Sequence, residues 1–157
     1  MDKINGNDAE WRFFSDQVMG GRSAGSATRM SDDTDTFFRM KGLVTTENNG
    51  GFIQIRANVL KLPDNIKGVE LRVRGNGERY YVFLRTTGTV LPWQYYKAEF
   101  KTSGDWKKIQ LPFNKFERSS SWLRKTIAPG AIKSIGIVAF GEDYEALIDV
   151  ERVNFFD

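Results

Sequence analysis

The 157-residue chain contains no histidine and no cysteine. Without an imidazole or a thiol it cannot build a Ser-His-Asp or Cys-His nucleophile, and the usual zinc, haem and iron–sulfur sites lose their ligands. A disulfide is excluded as well, so the folded state must be stabilised by an apolar core. We therefore expect no cofactor. Any catalysis would have to use carboxylate, lysine, tyrosine or hydroxyl groups, or a hard metal held by oxygen atoms.

The chain has little net charge, only +3, because its 23 basic side chains are nearly balanced by 20 acidic ones. Binding to nucleic acid needs basic residues concentrated on one face, which a total does not reveal. The RNA-recognition sequence in which Lys or Arg precedes Gly and an aromatic residue is missing, and the acidic residues dilute the field. We expect no nucleic acid among the partners of this protein.

Long hydrophobic runs are missing too, since none approaches the roughly 20 residues that a membrane-spanning helix needs. The segment from Met1 to Asp8 has neither the apolar core of a secretory signal nor the Arg-rich, acid-poor pattern of a transit peptide. Both observations predict a cytoplasmic protein with no membrane span.

What the sequence does contain is alternation of apolar and polar residues in short runs bounded by Gly, Asn, Asp or Pro, the pattern of half-buried strands. With no linker or repeat, residues 1–157 predict a single domain. The simplest architecture is an all-β antiparallel sandwich, and an up-and-down barrel is the competitor. The ten predicted strands are Trp11 to Phe14, Ser23 to Met30, Thr36 to Val44, Phe52 to Leu60, Val69 to Arg74, Arg79 to Thr87, Gln94 to Lys101, Trp106 to Leu111, Ile132 to Phe140 and Ala146 to Phe155.

Two glycine-rich segments, Gly20-Gly21 and Gly75-Asn76-Gly77, have the glycine content of phosphate loops. Neither precedes a predicted helix and neither is followed by Gly-Lys-Ser/Thr, so that interpretation fails. The second segment instead predicts a hairpin turn between the strands on either side of it. A further glycine-rich turn is predicted at Asn49-Gly50-Gly51.

The segment from Ser15 to Ser23 combines a carboxylate, paired glycines and an arginine. Paired glycines permit positive φ, which predicts a tight turn between the first two strands. In one interpretation it is a binding loop in which Asp16, Arg22 and Ser23 offer polar groups. In the other, which we favour, Met19 plugs the end of the sandwich while Asp16 and Arg22 satisfy loop amides or pair together.

Several strands direct arginine and aromatic side chains to the face opposite their aliphatic residues. If these strands are neighbours, the side chains line one exposed sheet face that can stack on planar groups or sugar rings, or form a protein contact. Trp93, in a loop, would lie at the rim, whereas Tyr80 falls on the aliphatic side and is predicted to be core. The residues of this face are Gln54, Arg56, Asn58, Arg72, Arg74, Tyr81, Phe83, Arg85, Tyr95, Lys97 and Glu99.

The alternative is a solvated face on which Glu70, Glu78 and Glu99 balance the arginines through weak cross-strand pairs. For an enzyme, two carboxylates would have to lie close together in unlike environments, and no spacing fixes such a pair. Asp32-Asp33 with Asp35 is typical of a solvated turn, and a structural calcium bound by loop oxygens stays open. The carboxylates considered for catalysis are Asp16, Glu47, Glu70, Glu99 and Asp149.

Six segments in this order resemble the complex I intermediate-associated protein 30 family, and together they extend over nearly the whole chain. No single segment is specific, but their combined order and spacing are. They are Trp11, Met19-Gly20-Gly21-Arg22-Ser23, Asn49 to Arg56, Leu71 to Tyr80 with Asn76 in place of the family's usual Asp, Trp106 with Leu111-Pro112-Phe113, and Ser134-Ile135-Gly136-Ile137.

The resemblance implies a jelly-roll β-sandwich of the galactose-binding-domain-like type, similar to carbohydrate-binding modules. It also implies an assembly factor, or chaperone, for respiratory complex I that acts by binding rather than by catalysis. Because the sequence shows no transit peptide or appended domain, we expect a stand-alone bacterial member. The family supplies no catalytic residues.

We therefore predict a non-catalytic binding protein, with a protein as its partner and a glycan as the alternative ligand. No metal site is assigned. The predicted contacts to the ligand or partner are Asp16, Arg22, Arg56, Arg72, Arg74, Tyr81, Arg85, Trp93 and Tyr95.

Overall fold

A computed structural model describes residues 3–5, 11–19, 21–47, 51–91 and 93–157. Strands dominate these residues, and short 3-10 turns are the only helical elements among them. The strands are β1 (Lys3–Asn5), β2 (Arg12–Ser15), β3 (Ala24–Ser31), β4 (Thr36–Val44), β5 (Phe52–Asn58), β6 (Gly68–Gly75), β7 (Arg79–Thr86), β8 (Tyr96–Lys101), β9 (Lys107–Pro112), β10 (Glu117–Arg118), β11 (Ile132–Phe140) and β12 (Tyr144–Phe156).

The strands form two antiparallel sheets. Sheet A has the order β3-β4-β12-β6-β9, with β1 paired to β12, and sheet B has the order β10-β8-β7-β11-β5-β2. The predicted sandwich is confirmed as a jelly-roll fold, whose two sheets bury an apolar layer between them.

Alternation along the strands explains this layer. Ile53, Ile55 and Ala57 of β5 are at most 2% exposed and pack in the core between the sheets. Tyr80 is also fully buried, as predicted, and its hydroxyl donates to Asn76 Oδ1 at 2.6 Å and accepts from the Leu147 backbone N–H at 2.8 Å. The period of two thus decides which side chains enter the core.

All ten predicted strands are present, with ends that shift by a few residues. The two that the sequence missed, β1 and β10, have three and two residues and are too short to show alternation. The predicted hairpin at Gly75-Asn76-Gly77 is wrong, because β6 pairs in sheet A and β7 in sheet B. This turn carries the chain from one sheet to the other. Asn49 and Gly50 of the other predicted turn lie outside the described residues.

A buried carboxylate organises the connection between β2 and β3. Asp16, at the start of a 3-10 turn, is fully buried, and its Oδ1 accepts from the Ser23 backbone N–H at 2.8 Å. Oδ2 accepts from Ser23 Oγ at 2.6 Å and from the backbone N–H groups of Gly51 and Phe52. This contact set joins the β2–β3 connection to the start of β5.

Burial alone would raise the pKa of Asp16, but hydrogen bonds from Ser23 Oγ and from the N–H groups of Gly51, Ser23 and Phe52 outweigh it and lower the pKa. Gly21 is required here because an added Cβ would lie 2.4 Å from Asp16 Cγ. The interpretation in which Asp16 satisfies loop amides is confirmed. The side chain of Met19 lies outside the described part of the chain.

We expect Asp16→Asn to lower the free energy of unfolding by about 3 kcal/mol at neutral pH, because the amide cannot accept all four hydrogen bonds. A carboxyl with a lowered pKa stabilises the fold above its unfolded pKa, about 3.9, and loses that effect as pH falls through the folded value. Denaturant titration should show the difference between variant and native protein shrinking below about pH 4. The exposed Asp33→Asn serves as control, and an equal loss in both variants would refute the structural role of Asp16.

Candidate functional site

The predicted arginines do not share one face. Arg56 and Arg85 lie on β5 and β7 in sheet B, whereas Arg72 and Arg74 lie on β6 in sheet A. The inner faces of the sheets meet at the core, so these two sets stand on opposite outer faces of the sandwich. The expectation that all four would line a single surface is therefore wrong, because it required strands to be neighbours that belong to different sheets.

On sheet A the arginines are paired with carboxylates. Arg39 contacts Asp149 in a bidentate manner, with Nε–Oδ1 and Nη2–Oδ2 distances of 2.7 and 3.0 Å. Arg74 Nε donates to the same carboxylate at 2.8 Å, and Asp149 is only 3% exposed. The hydrogen bond to Asp149 raises the pKa of Arg39. One buried carboxylate thus joins β4, β6 and β12.

Arg72 is held in the same way, with Nη1 at 3.1 Å from Asp35 Oδ1 and 3.6 Å from Glu151 Oε1. The indole of Trp106 lies over Arg72 and Arg74, with guanidinium carbons 4.7 and 4.5 Å from the ring centroid. These contacts give Arg72 and Arg74 a structural role, in contrast to the binding role that the sequence suggested.

The outer face of sheet B carries an aromatic cluster made of Tyr81, Phe83, Tyr95 and Phe140. The rings of Phe83 and Tyr95 are stacked, with centroids 4.1 Å apart and an interplanar angle of 8°. Phe140 meets Tyr81 and Phe83 edge-on at 4.5 and 5.2 Å. Phe83 is only 6% exposed, so it supports Tyr95 rather than forming part of the open surface.

Beside this cluster lies a group of cations. Arg12 of β2 lies opposite Arg56 of β5 in the strand register. Both guanidinium groups lie over the ring of Phe14, at 5.6 and 5.0 Å from its centroid. Their hydrogen bonds are to neutral amides, from Arg12 to Asn58 Oδ1 at 3.2 Å and from Arg56 to Gln54 Oε1 at 3.5 Å.

The electrostatics of Arg56 differ from those of the arginines on sheet A. Burial, then the like charges of Arg85 and Arg12, lower the pKa of Arg56 to about 10. Arg85 is also partly buried, which lowers its pKa, and its Nη1 donates to the Gln94 carbonyl at 3.0 Å. Within the described part of the chain, no carboxylate forms an ion pair with Arg12 or Arg56.

A groove of about 650 Å³ lies at this end of sheet B. Its wall includes Thr86 at the end of β7, Thr87 and Thr89 of the β7–β8 connection, and Ser134. Among the residues that the structure describes, no aspartate or glutamate lines it. Its five cationic side chains are Arg12, Arg56, Lys61, Arg85 and Lys133.

A glycine leaves room for a buried amide on this face. Gly136 of β11 lies opposite Arg56 on one side and Phe83 on the other. An added Cβ would come within 3.1 Å of Gln54 Oε1, and Gln54 is only 4% exposed. The Gln54 amide therefore packs against Gly136, between the cations and the aromatic cluster.

The remaining predicted residues are dispersed. Trp93 is 64% exposed in the connection between β7 and β8. Asp16 is buried within its loop, and Arg22 is an exposed side chain 3.8 Å from Glu47. Sequence reasoning missed Arg12, although period-two alternation in Trp11-Arg12-Phe13-Phe14 could have indicated it. No sequence signal indicated Lys61 or Lys133, since only the tertiary fold brings them to the groove wall.

The carboxylates considered for catalysis are separated from one another. Asp16 is bound by amides, Asp149 by two arginines and Glu99 by the Tyr81 hydroxyl at 3.1 Å. Glu70 accepts from Gln110 and lies near Lys108, and Glu47 lies near Arg22. Of the acidic groups in the described ranges, none forms a cluster of three or more that could hold a metal ion.

No helix in the described residues is long and apolar enough to cross a membrane.

The sequence profile of the complex I intermediate-associated protein 30 family matches residues 3–148. The resemblance noted in the sequence is thereby confirmed. No curated protein matches the chain significantly.

Several solved structures share the fold. A family 11 carbohydrate-binding module from Clostridium thermocellum, in complex with a β-1,3-1,4-mixed-linked tetrasaccharide, has a TM-score of 0.77 at 14% identity over 98% of this chain and 94% of that one. The family 11 module of a cellulosomal cellulase from the same organism gives 0.77 at 14% identity over 99% and 93%. A module from Clostridium stercorarium in complex with cellobiose gives 0.55 at 13% identity over 100% and 94%. At these identities the similarity establishes the fold.

We expect Asp149→Asn to lower the free energy of unfolding by about 3 kcal/mol, because it leaves Arg39 and Arg74 without their shared counter-charge. Chemical denaturation measures this loss. Glu145→Gln, an exposed position on the same strand, should change stability by less than about 0.5 kcal/mol. Equal stability of the two variants would show that the pairing on sheet A is not structural.

Proposed function

The chain belongs to the complex I intermediate-associated protein 30 family, and from this membership we propose that it is a non-catalytic binding protein acting as a protein-interaction or assembly factor. Such a factor holds a partner through surface complementarity, so it needs an accessible face and no reacting groups. The separate placement of the carboxylates is consistent with that role.

The observation that supports this proposal most directly is the outer face of sheet B. It combines half-buried tyrosines, two arginines (Arg12 and Arg56) that form no ion pair with a carboxylate of the described residues, and an exposed tryptophan at one end. Tyr, Trp and Arg are the residues most enriched in the energetically important centres of protein interfaces. Sheet A offers a poorer surface, because its arginines are already bound to Asp149, Asp35 and Glu151.

The aromatic part of this face is pre-organised. Tyr95 is fixed by stacking on Phe83, and Lys97 Nζ lies 5.6 Å from the centroid of Phe140. Side chains already held in place lose little conformational entropy when a partner binds. We therefore assign the primary contact to Tyr81, Tyr95 and Lys97, with Trp93 at the rim.

We expect Lys97→Glu combined with Trp93→Ala to reduce recovery of specific partners at least about tenfold, because the pair reverses a charge and removes a large apolar contact from the proposed interface. The measurement is quantitative co-purification at endogenous expression, scored by proteins recovered with the native chain and lost with the variant.

The matched control is Lys41→Glu with Leu43→Ala. Both residues lie on β4 of sheet A and Leu43 is 54% exposed, so the control reverses a charge and removes an exposed apolar side chain off the proposed interface. Equal loss of partners with both variants would argue against sheet B as the interface. If the native chain recovers no specific protein, the proposed assembly role fails.

A second candidate function is carbohydrate binding, which we propose because carbohydrate-binding modules share the fold at a TM-score of 0.77. Tyr81, Tyr95 and Trp93 are the platforms available on sheet B for stacking on sugar rings. The support from the solved structures is similarity of fold, so the test must address the sugar-binding residues themselves.

Titration with the β-1,3-1,4-mixed-linked tetrasaccharide tests this alternative. If the chain binds glycans through this face, intrinsic tryptophan fluorescence should change saturably, and Trp93→Ala should abolish most of the change while Trp122→Ala retains it. A flat response to this sugar and across a glycan array would eliminate the carbohydrate function and leave the protein-binding proposal untouched.

A further inference from the structure

The groove at the end of sheet B concentrates positive charge. Five cationic side chains line it, and none of the described lining residues is acidic. No carboxylate of the described residues forms an ion pair with Arg12 or Arg56. Elsewhere the same chain pairs its arginines closely, as at Arg39 and Asp149. Like charges so close together raise the free energy of the unliganded protein, since each disfavours the ionised form of its neighbour.

Arg56 is the centre of this group. It lies opposite Arg12 in the register of β5 and β2, and its guanidinium is partly buried over Phe14. Partial burial removes water that would otherwise screen the charge, which strengthens any interaction with an incoming anion. Its one hydrogen bond to a neighbouring side chain, to Gln54 Oε1, is long at 3.5 Å, so the guanidinium retains donors for a ligand.

The size of the groove and the origin of its cations suit more than one negative group. Arg12, on β2, and Arg85, on β7, are separated by β5 and β11 in the sheet order, so their backbones lie three strand spacings, or about 14 Å, apart. A groove of about 650 Å³ whose cations come from such separate strands has room for several negative groups along one extended chain.

We propose that this groove binds an acidic segment of the partner protein, with Arg12 and Arg56 holding one carboxylate and Arg85, Lys61 and Lys133 receiving its neighbours. The nature of the occupant rests on the proposed function, since it is the protein partner that would supply the segment. The groove is proposed as the binding location because of charge complementarity. It has five cationic lining residues, and none of its described lining residues is acidic.

The hydroxyl groups along the wall complete the complementarity. Thr86, Thr87 and Ser134 line the groove and can donate to carboxylate oxygens, whereas the Thr89 hydroxyl donates to the Thr86 carbonyl at 2.9 Å. Planar guanidinium groups suit carboxylates because they form two parallel hydrogen bonds, as Arg39 does with Asp149 on the other face.

The probe is a capped hexaglutamate peptide, titrated into the full chain by calorimetry at low and at physiological ionic strength. We expect saturable binding that weakens with salt and no binding of the matched hexaglutamine peptide. Arg12→Gln with Arg56→Gln should weaken binding at least about tenfold, since each charge-assisted hydrogen bond contributes strongly to affinity.

Arg22→Gln with Lys41→Gln is the matched control, because it removes the same charge away from the groove. Neither residue lines the groove, since Arg22 lies in the β2–β3 connection, 3.8 Å from Glu47, and Lys41 lies on sheet A. Binding by this control should stay within about twofold of the native chain, apart from the general effect of lost charge.

Thermal unfolding without peptide separates a binding role from a structural one. Since Arg56 is partly buried and faces two like charges, Arg56→Gln should leave the melting temperature unchanged or raise it. A marked fall would show that Arg56 is structural and would overturn the proposal. Arg56→Lys, which keeps the charge but not the planar donors, should restore part of the peptide affinity.

Two further results would overturn the proposal. If hexaglutamate does not bind, the groove is not an acidic-peptide site, and partner capture through Lys97 and Trp93 would still decide the proposed function separately. If a single-stranded oligonucleotide or an oligouronate binds through Arg12 and Arg56 more tightly than the peptide, the groove takes a different polyanion. Inorganic phosphate, as a fourth probe, should bind weakly, and phosphate affinity equal to that of the peptide would contradict an extended ligand.

Discussion

The apolar layer between the two sheets is the constraint on which the rest of the structure depends. Side chains along a strand alternate between two faces, and one face of each sheet is committed to this layer. Charged strand residues are therefore directed outwards wherever they occur. Val73 is buried in the core while its neighbour Arg74 stands outside, and Ile55 and Arg56 repeat that relation in the other sheet.

The two outer faces use their arginines differently because they differ in the residues of their central strands. In sheet A, β12 carries Asp149, which draws in Arg39 and Arg74 and becomes buried beneath them. In sheet B, the corresponding position between β5 and β7 is occupied by Gly136 of β11. Arginine thus pairs with carboxylates on one face and, at Arg12 and Arg56, donates to neutral amides on the other, and the difference depends on its neighbours across the sheet.

The sequence predicted most of the fold and a part of the site, for identifiable reasons. Alternation around Ile55 and the position of Tyr80 required only local periodicity, and the six segments of the family resemblance supplied the jelly roll. Sheet membership is not local: the turn at Gly75 to Gly77 has the composition of a hairpin, yet the chain changes sheets there. The contact between Arg39 and Asp149 spans 110 positions, so alternation could not show which arginines meet a carboxylate.

The groove on sheet B also accounts for a property of the whole molecule. Its five cations exceed the net charge of +3, so the remainder of the chain has a formal charge of −2. Without those five cations the chain would carry more acidic than basic side chains, so the isoelectric point near 9.2 depends on them. A local concentration of positive charge, in a chain whose other charges nearly cancel, would attract an acidic partner to the groove before any side chains touch.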